Sequence, residues 1–167
     1  LASKIMDFNL RFSPEKIALR GMMRFADAKP HFEGQLEMID LDLETNTPQA
    51  YKTNEYLVGR LTLQTQIAFD GVDRETIKRS LKGQGKIEIR DGALKNRNVI
   101  KEVFDRLTPV LAVTTALGAE LPPEIGEMLA GKDTPFQQAD IAFQVYQGLM
   151  RIDDLNLIHR HYQLSGK

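Results

Sequence analysis

The sequence predicts a β-dominated α+β fold, a curved and mostly antiparallel β-sheet meander with a helical insertion near 98–130. Three observations predict it. Apolar and polar residues alternate with period two through most of the first half and again after residue 134. The period becomes helical in between. Short turn signals rather than long crossovers separate most of the alternating runs, as consecutive antiparallel strands require.

The elements follow in order. Met6, Phe8, Leu10 and Phe12 alternate with Asp7, Asn9 and Arg11, and Ser13-Pro14-Glu15 supplies a turn. Ile17, Leu19, Gly21, Met23 and Phe25 continue the pattern in a second strand. A third carries Phe32, Gly34, Leu36 and Met38, after which the apolar phase jumps to Ile39, Leu41 and Leu43. Such a slip predicts a β-bulge, which adds curvature. Residues Glu44 to Glu55 read as a loop. The longest alternation runs from Leu57 through Gly59, Leu61, Leu63, Thr65 and Ile67 to Phe69.

Asp73 is placed to cap a short helix bearing Ile77 and Leu81. A strand resumes at Gly83, Gly85, Ile87 and Ile89, with a turn expected at Arg90-Asp91-Gly92. Asn98 caps the next helix, whose stripe is Val99, Ile100, Val103, Phe104 and Leu107; Thr108-Pro109 breaks or kinks it before an apolar segment ending at Gly118. Pro122-Pro123-Glu124 opens a further turn of helix that stops by Gly131, and the insertion is expected to pack across one mouth or face of the sheet. Ile141, Phe143 and Val145 then alternate, Gly148 turns the chain, and Met150 and Ile152 follow. After a turn at Asp153-Asp154 come Leu155 and Leu157, and Tyr162 and Leu164 lie on a last strand.

Composition excludes several classes of function. The 167 residues suit one domain spanning 1–167, able to bury roughly 70% of its unfolded surface without a covalent staple. Lys and Arg number 22 against 23 Asp and Glu, a balance unlike that of a nucleic-acid binder. No cysteine is present, so disulfides, thiolate nucleophiles and Cys-ligated zinc are ruled out. No run approaches the roughly 18 apolar residues of a membrane-spanning helix. The N-terminus lacks a signal-peptide pattern, and both ends read as those of a piece excised from a longer protein.

Nothing points to catalysis. His159 and His161 would share one strand face but lack a third ligand, so no metal site is expected. Asp40, Asp42 and Glu44 read as an ordinary exposed acidic row opposite Ile39, Leu41 and Leu43. Gly83-Gln84-Gly85 precedes a strand rather than a helix, which argues against a phosphate loop. There is no Gly-x-Ser-x-Gly elbow. No enzyme and no cofactor is expected.

One stretch resembles a known family. Leu81-Lys82-Gly83-Gln84-Gly85-Lys86-Ile87-Glu88-Ile89-Arg90-Asp91-Gly92-Ala93-Leu94 is similar to the "LxGxGxIxIxDGxI" signature near the C-terminal end of AsmA-family proteins. Thr134-Pro135-Phe136, Gly148-Leu149-Met150, Asp154-Leu155-Asn156-Leu157 and Leu164-Ser165-Gly166 resemble the family's closing elements, and the likeness covers about residues 57–167. The resemblance implies a single AsmA-like C-terminal domain, a fragment of a longer envelope protein of Gram-negative bacteria. It implies a periplasmic location, a parent anchored in the inner membrane, and a part in outer-membrane biogenesis.

Two readings of the apolar strand faces stand together. One is a filled core in a structural or interaction module that binds the rest of the parent chain or envelope assembly proteins. The other is a groove that shelters or conducts acyl chains of phospholipid or lipopolysaccharide-related lipid. For the groove, the expected lipid-binding lining is Leu61, Leu63, Ile67, Phe69, Ile87, Ile89, Ile141, Phe143 and Val145.

Overall fold

The structure, a computed structural model, describes residues 4–12, 16–26, 29–46, 49–52, 55–106 and 123–167. The expected turn at Ser13-Pro14-Glu15 and the expectations for Leu107 to Pro122 lie outside them. Eight strands form one antiparallel sheet in strict chain order: β1 (Lys4–Phe12), β2 (Ile17–Ala26), β3 (Lys29–Asp42), β4 (Tyr56–Asp70), β5 (Lys82–Lys95), β6 (Thr134–Tyr146), β7 (Leu149–His159) and β8 (Tyr162–Gly166). Four short helices lie at its ends: α1 (Leu43–Asn46), α2 (Arg74–Ser80), α3 (99–106) and α4 (Pro123–Ala130). The β-dominated meander is therefore as the periodicity predicts. The segment read as a loop from Glu44 contains the last three residues of α1 and, at Gln49–Tyr51, a 3₁₀ turn.

The register gathers the apolar sets of all strands onto one face. One row runs Phe12, Ile17, Met38, Leu63, Ile87, Ile141 and Leu155, each residue paired with the next across seven strands. The opposite face is polar, and a row on it runs Asn9, Arg20, Gln35, Gln66, Gln84, Gln144 and Arg151. Side chains alternate across a strand, so a one-residue slip in any pairing would exchange the two faces. We call the end bearing α1, α3 and α4 the upper end, and the end bearing α2 and the β6–β7 turn the lower end.

Bulges correct the phase where the sequence slips. In β3 the pairing with β4 shifts between Met38 and Leu41, and Asp40 takes a φ of 52°. This returns Leu41 to the apolar face, opposite Leu61. Two expected turns prove to be irregularities within strands. Arg90-Asp91-Gly92 lies inside β5, where Asp91 (φ 48°) and Gly92 sit opposite the single residue Gly59 (φ 129°). Asp153 and Asp154 lie inside β7, where the register with β6 shifts between Ala142 and Phe143. The same small polar residues suit both bulge and turn, because both ask for local backbone departures that Asp and Gly tolerate. The true β6–β7 turn is Gln147-Gly148, with φ of 51° and 71°, as a two-residue type I′ hairpin turn requires.

Both expected caps form. The Asp73 carboxylate accepts from the Thr76 N–H, and the Asn98 side chain accepts from the Lys101 N–H. Asn98 Nδ2 also donates to the Met128 and Gly131 carbonyls, which ties the start of α3 to the end of α4.

Candidate functional site

The candidate acidic and histidine side chains fall on separate elements. Asp40, Asp42 and Glu44 do not form the regular acidic row that alternation suggested, because Asp40 stands in the bulge and Glu44 belongs to α1. Asp40 pairs with Lys16 and Arg60 from the bulge, Asp42 caps α1 by accepting from the Glu44 and Thr45 N–H groups, and Glu44 lies within α1. His159 ends β7 while His161 belongs to the following turn, with ring centroids 5.5 Å apart. Among the described residues no three His, Cys, Asp or Glu side chains cluster as a metal site would need. His159 stacks on Tyr162, and burial, aided by the charges of His161 and Arg160, lowers its pKa. Burial also pushes the Tyr162 hydroxyl up to about 12, and that hydroxyl donates to the Pro135 carbonyl.

His31 is held between two carboxylates. Nδ1 lies 2.6 Å from Asp70 Oδ1, and Nε2 lies 2.9 Å from Glu33 Oε1. The hydrogen bond to Asp70, then that to Glu33, raises its pKa above the ordinary 6.5. A raised histidine pKa contributes stability that is complete below the unfolded value and disappears as pH climbs through the folded one. The thermal midpoint of the protein relative to its His31→Gln variant should therefore be highest near about pH 5.5 and shrink toward about pH 8.5. A difference independent of pH would show that the imidazolium does not bridge β3 and β4.

The nine expected lining residues all lie on the apolar face. Leu61 pairs with Ile89, Leu63 with Ile87, Ile87 with Ile141, and Phe69 with Phe32; Ile67 and Val145 both pair with Gly83, and Phe143 with Gly85. Their environments differ along the strands. Ile89, only 2% exposed, forms a packed cluster with Phe136 and Ala139, against which Leu43, Leu61, Ile87 and Leu157 close. Phe143 is buried over Gly85, where an added Cβ would stand 2.8 Å from its Cζ. The other seven are only partly buried, and neighbours on the same face, such as Leu10, Phe12, Met150 and Ile152, are exposed. The face is thus filled at its upper end and open toward β1 and β7.

Aromatic side chains occupy the space that glycines leave. Phe32 stacks on Phe8 at 5.4 Å and on Phe69 at 4.6 Å, lying above Gly21 and Gly34. A Cβ on Gly34 would come within 2.7 Å of the Phe32 ring and 2.5 Å of the Arg20 carbonyl oxygen. The family-like motifs acquire structural roles in the same way. Gly92 leaves room for the Phe136 ring, which a Cβ would meet at 2.6 Å. Thr134, fully buried, donates to the Arg97 carbonyl and accepts from the Val99 N–H, both at 2.8 Å.

The polar face is dished. A hollow of about 770 Å³ is bounded by residues of five strands, among them Arg20, Gln35, Gln66, Gln84 and Gln144. A neighbouring hollow of about 670 Å³ shares those five residues and extends to Glu37, Gln64 and Lys86. Ile67, Phe143 and Val145 border these hollows along the floor, while strand alternation directs their side chains to the apolar side. Among the described residues the strands form a single layer, so both faces of the sheet are widely accessible.

Residue-by-residue reading did not single out the lower end of the sheet. There Val72, Tyr146 and Leu149 are the most exposed large apolar residues described, amid the basic residues of α2. An apolar pair flanking a hairpin turn was a visible signal, but only the register brings it beside α2. Comparison with protein-family models, characterised proteins and solved structures finds no match to this chain.

Proposed function

We propose that this chain is a non-enzymatic periplasmic module of outer-membrane biogenesis that shelters or conducts lipid acyl chains between membranes, within a longer parent anchored in the inner membrane. The observation that carries the reading is the apolar face, continuous across the strands and partly open from Leu63 and Ile67 outward to Ile152. An acyl chain laid on such a face gains about 0.8 kcal/mol for each buried methylene, so affinity needs no charged site. The resemblance of Leu81–Leu94 and Thr134–Phe136 to AsmA-family signatures supports the envelope setting. The occupant would be a phospholipid or a lipopolysaccharide-related lipid.

Native mass spectrometry of protein directed to the envelope, followed by lipid extraction, tests this. We expect stoichiometric lipid, lost when Leu63 and Ile152 are both replaced by Asp. The filled cluster around Ile89 favours a second reading, a structural module that assists outer-membrane protein assembly through protein contacts. A lipid-free mass from the wild-type chain would decide for that reading and against lipid handling.

A further inference from the structure

The lower end of the sheet combines two features. The first is apolar exposure in and beside turns. Val72, 79% exposed, lies in the β4–α2 connection, while Leu149 (74%) and Tyr146 (68%) pair across the strand ends that flank the β6–β7 turn, off the broad apolar face. They are held in place: the Gly148 N–H donates to the Leu81 carbonyl, and the β6–β7 turn abuts Lys78 of α2. Turns and the strand ends beside them are ordinarily polar where water reaches them, so apolar side chains displayed there mark a surface that meets something less polar.

The second feature is unpaired positive charge. Arg74, Lys78 and Arg79 on α2, with Lys82 just beyond it, make no ion pair, and neither do Arg24 and Lys29 at the same end. Of the nearby acids, Asp73 caps α2 and Asp70 and Glu33 hold His31, which leaves Glu75 of α2 against the several cations. At the upper end several cations are paired instead. Lys16 and Arg60 pair with Asp40, Lys95 with Asp133, and Arg97 with Glu55 and Glu102.

We propose that the lower end docks on an anionic lipid bilayer, with Val72, Tyr146 and Leu149 entering the headgroup layer and Arg74, Lys78 and Arg79 meeting lipid phosphates. Exposed apolar tips ringed by free cations are the arrangement that binds such an interface, and tyrosine suits it because its ring is apolar and its hydroxyl wet. The docking deepens the lipid-handling reading by placing a membrane at the end of the acyl-binding face, and it rests on that reading for its purpose. Charge complementarity selects a bilayer carrying acidic headgroups over a neutral one.

Vesicle co-sedimentation tests it, with phosphatidylcholine alone and with phosphatidylcholine containing a minority of phosphatidylglycerol. The wild-type protein should bind the anionic vesicles, bind the neutral ones far more weakly, and lose binding as salt rises. Lys78→Gln with Arg79→Gln should lower partitioning at least tenfold, at roughly fivefold per cation. Val72→Ser with Leu149→Ser should also weaken it, while leaving the salt dependence unchanged. All four positions are exposed, and matching thermal melts will verify that the variants fold. Wild-type protein that ignores anionic vesicles, or variants that bind as well as it does, would overturn the docking. Lipid retention by native mass spectrometry should be unaffected in these variants. Retention lost from the wild type with vesicle binding intact would defeat the lipid-handling reading and leave the docking standing.

Discussion

Ile89→Asp is expected to unfold the protein rather than merely empty a lipid site. Ile89 is 2% exposed at the centre of the Phe136–Ala139 cluster, with Leu43, Leu61, Ile87 and Leu157 packed around it. An aspartate there has no partner among these apolar side chains, and an unpaired buried carboxylate combined with lost packing costs about 4–5 kcal/mol or more. That is comparable with the whole stability of an ordinary domain, roughly 5–15 kcal/mol. Circular dichroism and denaturant titration should show loss of the cooperative transition. By contrast Ile152→Asp, at a residue 48% exposed on the same face, should leave the transition nearly in place. Equal stability of the two variants would mean that the upper cluster is not a core. This difference is why the acyl-binding test uses Leu63 and Ile152.

Thr134→Val should cost about 2–4 kcal/mol although it preserves side-chain shape. The buried hydroxyl serves two backbone groups, accepting from the Val99 N–H at the first turn of α3 and donating to the Arg97 carbonyl. Valine removes both bonds and leaves a donor and an acceptor unsatisfied beside a fully buried position. In a chain of this size that corresponds to a thermal midpoint lower by roughly 5–15 °C. Thr134→Ser keeps the hydroxyl and should recover most of the loss. Hydrogen exchange should quicken first at the amides of α3. A valine variant as stable as the wild type would show that Thr134 does not fasten the helical insertion to the sheet.

The two aspartate turn signals show where reading from residues stops. Asp91-Gly92 and Asp153-Asp154 have the chemistry of turns, and in the structure both interrupt the regular pairing within strands. A different signal was present. The apolar spacing steps from two to three at Met38–Leu41 and Ile152–Leu155, and each step coincides with a register shift. Only the first of these was legible as a bulge, because there no turn-forming dipeptide competed with it. The Asp40, Asp42 and Glu44 row ends for local reasons, since Asp40 stands in the bulge itself and Glu44 has entered α1, while Asp42 stays opposite Arg60.

By itself the sequence determined the strands, their shared apolar side and the two caps, because alternation and capping are local and act within a few residues. Asp73, Asn98 and the run from Leu57 to Phe69 needed no partner to be recognised. Only the tertiary structure decided which of the nine candidate face residues are core and which are open. Burial at Ile89 comes from Leu43 and Phe136, 46 and 47 residues away along the chain. It also decided that Val72, Tyr146, Leu149 and the cations of α2 share one end. Charges and apolar tips distant in sequence become a surface only when antiparallel register stacks every second connection at the same edge of the sheet.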